Sequence, residues 1–109
     1  MSHSVSNYIL SVTLLMSASA LYAADPATEF KQRCVQCHGP DAKGNTTIGK
    51  SLKIPDLSGT DVAKRSDAEL TQVISEGRGS MPAFKTTLDA PSIKQLVGYI
   101  RSLQKTARK

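Results

Sequence analysis

The sequence predicts an all-α domain of three to four helices with two long loops wrapped around one bound group. Three observations predict it. Apolar residues recur at spacings of three and four in separate stretches, each opened by a helix-starting cap, which is the pattern of amphipathic helices. No stretch reads convincingly as a half-buried strand. The segments between the helices are long and carry Gly and Pro, and such irregular chain is unusual in a small domain unless it encloses something.

The chain has 109 residues, one domain's worth. Tyr8 to Ala20 is an apolar run diluted by Ser and Thr, and Leu21-Tyr22-Ala23 ends in a small residue suited to cleavage before Ala24. Residues 1–23 therefore read as a signal peptide and 24–109 as an exported domain in a bacterial periplasm. The rival is an uncleaved anchor, since Met1 to Asn7 has no Lys or Arg. Spanning a bilayer takes about 20 apolar residues. This run is shorter and broken by serines, so no stable membrane insertion is expected after cleavage.

The elements follow in order. Asp25-Pro26 starts a helix, Asp as cap and Pro at the first helical position, running through Ala27 and Phe30 to Cys34. Gly39-Pro40-Asp41 stops it, and Asp41 to Ser58 reads as a loop anchored by Ile48, Leu52, Ile54 and Leu57. Thr60 to Arg65 forms a short helical turn. Ser66 and Glu69 make a capping box for a helix bearing Leu70, Val73 and Ile74, which Gly77 ends. Arg78 to Leu88 is the second loop. The last helix starts near Asp89 or Pro91 and carries Ile93, Leu96, Val97, Ile100 and Leu103, with a basic, fraying end from Lys105.

Cys34-Val35-Gln36-Cys37-His38 supplies the chemistry. Two thiols three apart lie on one face of a helical turn, spaced to form thioethers to the two vinyl groups of one haem, with His38 placed to bind iron. A structural zinc site needs four ligands, and these residues supply three. A thiol redox motif would sit beside a βαβ pattern, which is not found. A disulfide turn in a secreted protein is the bland alternative. The sequence has two His and three Met; a cleaved leader removes His3, Met1 and Met16, leaving His38 and Met81. Met81 is thus the candidate for the sixth iron position, with a lysine amine or a gap-filling role in the core as the alternatives. Gly77 and Gly79 let the backbone approach a flat ring, and Pro82 biases Met81 toward an extended conformation.

The net charge is +5, with 14 basic and 9 acidic side chains. No basic run with interleaved aromatics points to nucleic acid, and export argues against it. Acidic redox proteins fit the charge better. Lys31, Lys43, Lys50, Lys53, Arg78 and Lys85 are the candidates for steering them, or else form a merely solvated face.

Phe30 one turn before Cys34, the Cys34 to His38 box, Met81-Pro82 in a Gly-flanked loop and Leu96-Val97-Gly98-Tyr99-Ile100 carry a resemblance. The chain resembles the class I c-type cytochromes and is similar to the haem domains of cytochrome oxidase diheme subunits. The resemblance implies a cytochrome c fold whose first and last helices cross near Phe30, Leu96 and Tyr99, with Gly98 offering close approach. It also implies that the Pro55 carbonyl accepts a hydrogen bond from His38. The function expected is a monomeric, non-enzymatic periplasmic electron carrier holding one haem c, with a potential above that of a His/His haem. A haem sensor or peroxidase with a displaceable Met81, and a small membrane-retained subunit of a respiratory complex, are the alternatives. The peroxidase reading lacks a second histidine for the distal side.

Overall fold

A computed structural model describes residues 24–109. The leader expected over residues 1–23 lies outside the described residues. Six helices follow one another: α1 (Pro26–Arg33), α2 (Val35–His38), α3 (Thr47–Ser51), α4 (Thr60–Ala63), α5 (Asp67–Glu76) and α6 (Ala90–Ala107). The only β-type pairing among the described residues is an isolated antiparallel bridge between Arg78 and Met81.

Local hydrogen bonds explain the helix starts. The Asp25 carboxylate accepts from the Thr28 N–H at 3.3 Å, with Pro26 at the first position. Ser66 and Glu69 close the capping box in both directions, at 3.1 and 2.9 Å. Asp89 accepts from the Ser92 N–H at 2.9 Å and starts α6, which stays helical to Ala107 rather than fraying from Lys105.

The helix count exceeds the expected three to four for two reasons. The first helix breaks at Cys34, whose φ of −115° departs from helical geometry, so α1 and α2 are separate. A short helix, α3, interrupts the loop expected over Asp41 to Ser58. Thr46 caps it, and Gly49 lets it close upon the end of α2, where an added Cβ would stand 2.8 Å from the Cys37 carbonyl oxygen.

The apolar stripe of α6 is buried from Ile93 to Ile100, with Leu96 at 2 % exposure and Leu103 half-buried, and packs against α1, α4 and α5. Burying a side chain of that size contributes about 1.5–3 kcal/mol. Phe30 and Tyr99 meet at 5.3 Å between ring centres, as the expected crossing of first and last helices requires. Gly98 takes no part in that crossing: it is exposed, and a Cβ added there would meet nothing within 4 Å. Arg101 ties α6 to the α4–α5 junction by donating to the Asp67 carboxylate and to the Ala63 and Arg65 carbonyls. Buried Gln104 donates to the Leu57 carbonyl at 3.0 Å, holding the loop before α4 against the same helix.

Candidate haem site

Cys34 ends α1 by donating its N–H to the Phe30 carbonyl at 2.9 Å, and its own carbonyl accepts from the Cys37 and His38 N–H groups at 3.2 and 2.9 Å. That single tight turn holds both thiols and the imidazole together. The carbonyls left open at the end of α2 are taken by the following loop. Thr46 Oγ1 donates to the Cys37 carbonyl and the Gly44 N–H to the His38 carbonyl, both at 2.7 Å. The loop expected to wrap a bound group thus also locks the histidine-bearing turn.

Met81 comes from the other side of the chain. Arg78 and Met81 exchange two backbone hydrogen bonds, 3.1 and 2.9 Å, across a two-residue turn with Gly79 at φ +56°. This hairpin is the irregular segment the sequence placed between α5 and α6. It is anchored behind Met81 where the Phe84 N–H donates to the Ile74 carbonyl.

Between these parts lies a cleft of about 590 Å³, and Cys34, Cys37, His38 and Met81 all line it. That volume is in the ordinary range for a small-molecule or cofactor site. A smaller, wholly apolar cavity of about 60 Å³ shares Cys34, His38 and Met81 and reaches Phe30, Leu96 and Ile100 in the core. The Phe30 ring sits 6.4 Å from that of His38. All four expected site residues therefore converge on one cleft.

Its electrostatics are one-sided. Arg33, Lys53, Arg65 and Arg78 line the cleft and no carboxylate does. Of the residues expected to steer partners, Lys53 and Arg78 line the cleft, whereas Lys31, Lys43, Lys50 and Lys85 do not; Lys85 pairs with Glu76 at 2.8 Å. Arg33 and Arg65 escaped the sequence reading, because no local pattern tells which cations a fold turns toward a cavity. Buried Glu29, paired with Arg33 at 2.7 Å, also had no sequence signal.

Burial lowers the pKa of the His38 imidazole from its ordinary 6.5, which favours the neutral, metal-binding form at pH 7. Burial, with the Glu29 carboxylate adding to it, pushes the Cys34 thiol up to about 11. His38 Nδ1 is buried without a hydrogen-bond partner, so the bond expected to the Pro55 carbonyl is not made, although Pro55 lines the cleft. The turn that fixes the His38 backbone leaves the ring nitrogen unpaired.

Comparison with known proteins places these features. The family model for cytochrome c oxidase, cbb3-type, subunit III matches residues 22–100. The chain is similar to the cbb3-type cytochrome c oxidase subunit FixP of Bradyrhizobium sp. (strain ORS 278), 39% identical over 101 residues, covering 91% of this chain and 33% of that protein. It is 36% identical to subunit CcoP of Azospirillum brasilense, again over 91% of this chain and 34% of the relative. The chain thus spans about a third of the length of these curated relatives. Among solved structures, the KustC0563 c-type cytochrome superposes with a TM-score of 0.66 at 32% identity, covering 73% of this chain and 98% of that one.

These findings correct one expectation. The expectation of a chain outside any enzyme does not hold: the matched family is subunit III of a cbb3-type cytochrome c oxidase, and the relatives are subunits of that oxidase. They also make haem c the cofactor this domain implies. The residues present fit it: a largely apolar cleft of cofactor size, two thiols not joined by a disulfide, a half-buried imidazole whose burial favours the neutral, metal-binding form, and a thioether on the same cavity. The chain belongs to the cbb3-type cytochrome c oxidase subunit III family, and its helical fold is that of a class I c-type cytochrome domain.

Proposed function

We propose that the domain carries single electrons as part of an oxidase of the cbb3 kind, using one haem c held by Cys34, Cys37, His38 and Met81. The observation that carries this reading is the convergence of those four side chains, from two separate segments, on one cleft. When bound, the haem supplies an iron that cycles between ferric and ferrous. Cys34 and Cys37 would tether it through thioethers, and His38 and Met81 would hold its iron. Each ligand sits on backbone held by its own hydrogen bonds, the α2 turn for His38 and the Arg78–Met81 hairpin for Met81. Ligands so fixed keep one geometry in both oxidation states, which suits rapid electron transfer. Thioether ligation favours the ferrous state and a potential above that of a His/His haem.

Of the two settings considered, the family membership favours an oxidase subunit over a freely diffusing periplasmic carrier. No helix among the described residues is long and apolar enough to cross a membrane. Fractionation of cells making the chain separates the settings. Recovery with oxidase subunits in detergent-solubilised membranes supports the subunit reading, and recovery solely in the soluble periplasmic fraction supports the carrier. Sequencing the N-terminus shows whether the chain starts at Ala24.

The ligand set has its own test. Optical spectra of the exported protein should be low-spin, with the weak red methionine–iron band and no response of the reduced form to carbon monoxide. Met81→Ala should give a high-spin or exchangeable iron that binds carbon monoxide quickly. A Met81→Ala protein that stays low-spin and excludes carbon monoxide would remove Met81 from the ligand set. Rapid carbon monoxide binding by the unaltered protein would favour a sensor or peroxidase.

A further inference from the structure

Four cations line the cleft, and they are not equivalent. Arg33 is held by the Glu29 carboxylate at 2.7 Å. Lys53, Arg65 and Arg78 have no carboxylate within 4.0 Å among the described residues, and no acidic side chain lines the cleft. Like charges gathered round one cleft repel one another, although water screens these exposed side chains. An occupant that brings anionic groups into the cleft offsets their charge.

Haem is such an occupant, an apolar disc with two propionate carboxylates on one edge. Arginine meets a carboxylate with two parallel N–H donors in a fixed plane, whereas lysine offers a mobile point charge. The two unpaired arginines bracket α5, Arg65 immediately before its Ser66 cap and Arg78 immediately after Gly77. Both are solvent-exposed, as groups serving the wet edge of a cofactor should be. We propose that Arg65 and Arg78 hold the haem propionates and are positioning residues for the cofactor rather than docking residues for a partner protein. This rests on the haem reading above. It reassigns Arg78 from the set expected to steer partners and leaves Lys31, Lys43 and Lys50, away from the cleft, as candidates for that role.

The sign of the effect is fixed. A cation beside a propionate offsets its field at the iron and favours the electron-richer ferrous state, so removing it lowers the midpoint potential. Arg65→Gln and Arg78→Gln, each produced with haem attached, should lower the potential while the methionine–iron band and carbon monoxide exclusion persist. Arg65→Lys should recover most of the loss, and Lys50→Gln should leave the potential unchanged. The contact that Arg101 makes with Arg65 goes to the backbone carbonyl and survives the substitution. A purely structural role for the side chain therefore predicts lost stability without this pattern of potentials. If either glutamine variant fails to mature, proton NOEs in the unaltered ferrous protein decide. Contacts between the propionate methylenes and the Arg65 and Arg78 side chains support the proposal, and their absence overturns it. Unchanged potentials overturn it too, above all with a slower, salt-dependent reaction toward an acidic redox partner. A chain that carries no covalent haem overturns both this proposal and the function it rests on, a result the haem assay gives before any variant is made.

Discussion

Where Met81 stands is decided by its neighbour Gly77 more than by its own side chain. Gly77 has φ +76°, and a Cβ added there would lie 2.6 Å from the Met81 carbonyl oxygen and 3.0 Å from the Ala83 nitrogen. The backbone of the Arg78–Met81 hairpin passes through the space a side chain would fill. Gly77→Ala should therefore cost at least the roughly 1–2 kcal/mol of a left-handed residue with a Cβ, and the collision adds to it. Denaturant midpoints of the haem-loaded protein should fall, and the methionine–iron band should weaken as the hairpin shifts. A variant keeping both would show that the hairpin yields without moving its methionine. Gly79, at φ +56° with open space around it, should tolerate alanine better because it pays only the backbone term.

Helix starts are held by single side chains, and one of them gives α6 a pH dependence. Hydrogen bonding from Ser92, its side chain first and its backbone N–H second, holds the Asp89 carboxyl below its ordinary 3.8. A carboxylate depressed on folding contributes stability above its unfolded pKa and loses it as pH falls through the folded value. The loss thus falls below about pH 4. Asn caps a helix about as well and does not titrate there, so Asp89→Asn should narrow the gap between urea midpoints at pH 7 and pH 3. Equal gaps in the two proteins would show that the cap carries no acid sensitivity. Such caps were legible in the sequence because donor and acceptor lie three residues apart: Asp25, Ser66 and Asp89 each start a helix where expected. Helix α3 was not legible, since Thr47–Ser51 has two β-branched residues and a glycine in five positions. What holds it is remote in sequence, the Thr46 hydroxyl on the Cys37 carbonyl and the absent side chain of Gly49 beside it. The same distinction runs through the site. Cys34, Cys37 and His38 form one local motif and Met81 followed by elimination, whereas Arg65 reaches the cleft only through the packing of whole helices.

At the scale of the molecule, the core is built around space. Its large apolar side chains, Phe30, Leu70, Ile74, Ile93, Leu96 and Ile100, all keep 2–7% exposure. Cavities of about 590 and 60 Å³ lie beside them, lined by several of these same residues. Small domains bury a low fraction of their unfolded surface and commonly need a disulfide, a metal or another staple. Cys34 and Cys37 are not joined to each other, so no disulfide fills that role among the described residues. The proposed haem would then supply apolar surface to Leu70, Met81 and Phe84 from one side, and a tether at Cys34 and Cys37 would keep it at high effective concentration beside the chain. Two consequences separate these contributions. Cys34→Ser with Cys37→Ser, made without attached haem, should lose most of its cooperative thermal transition, retain less helix than the loaded protein and bind a hydrophobic dye. Adding free haem to that variant should restore part of the helix, because the cleft walls regain their apolar partner without the tether. A double variant that melts cooperatively and as high as the loaded protein would mean that α1, α5 and α6 hold the fold by their mutual packing alone, and that the cleft is a finished container rather than an unfinished core.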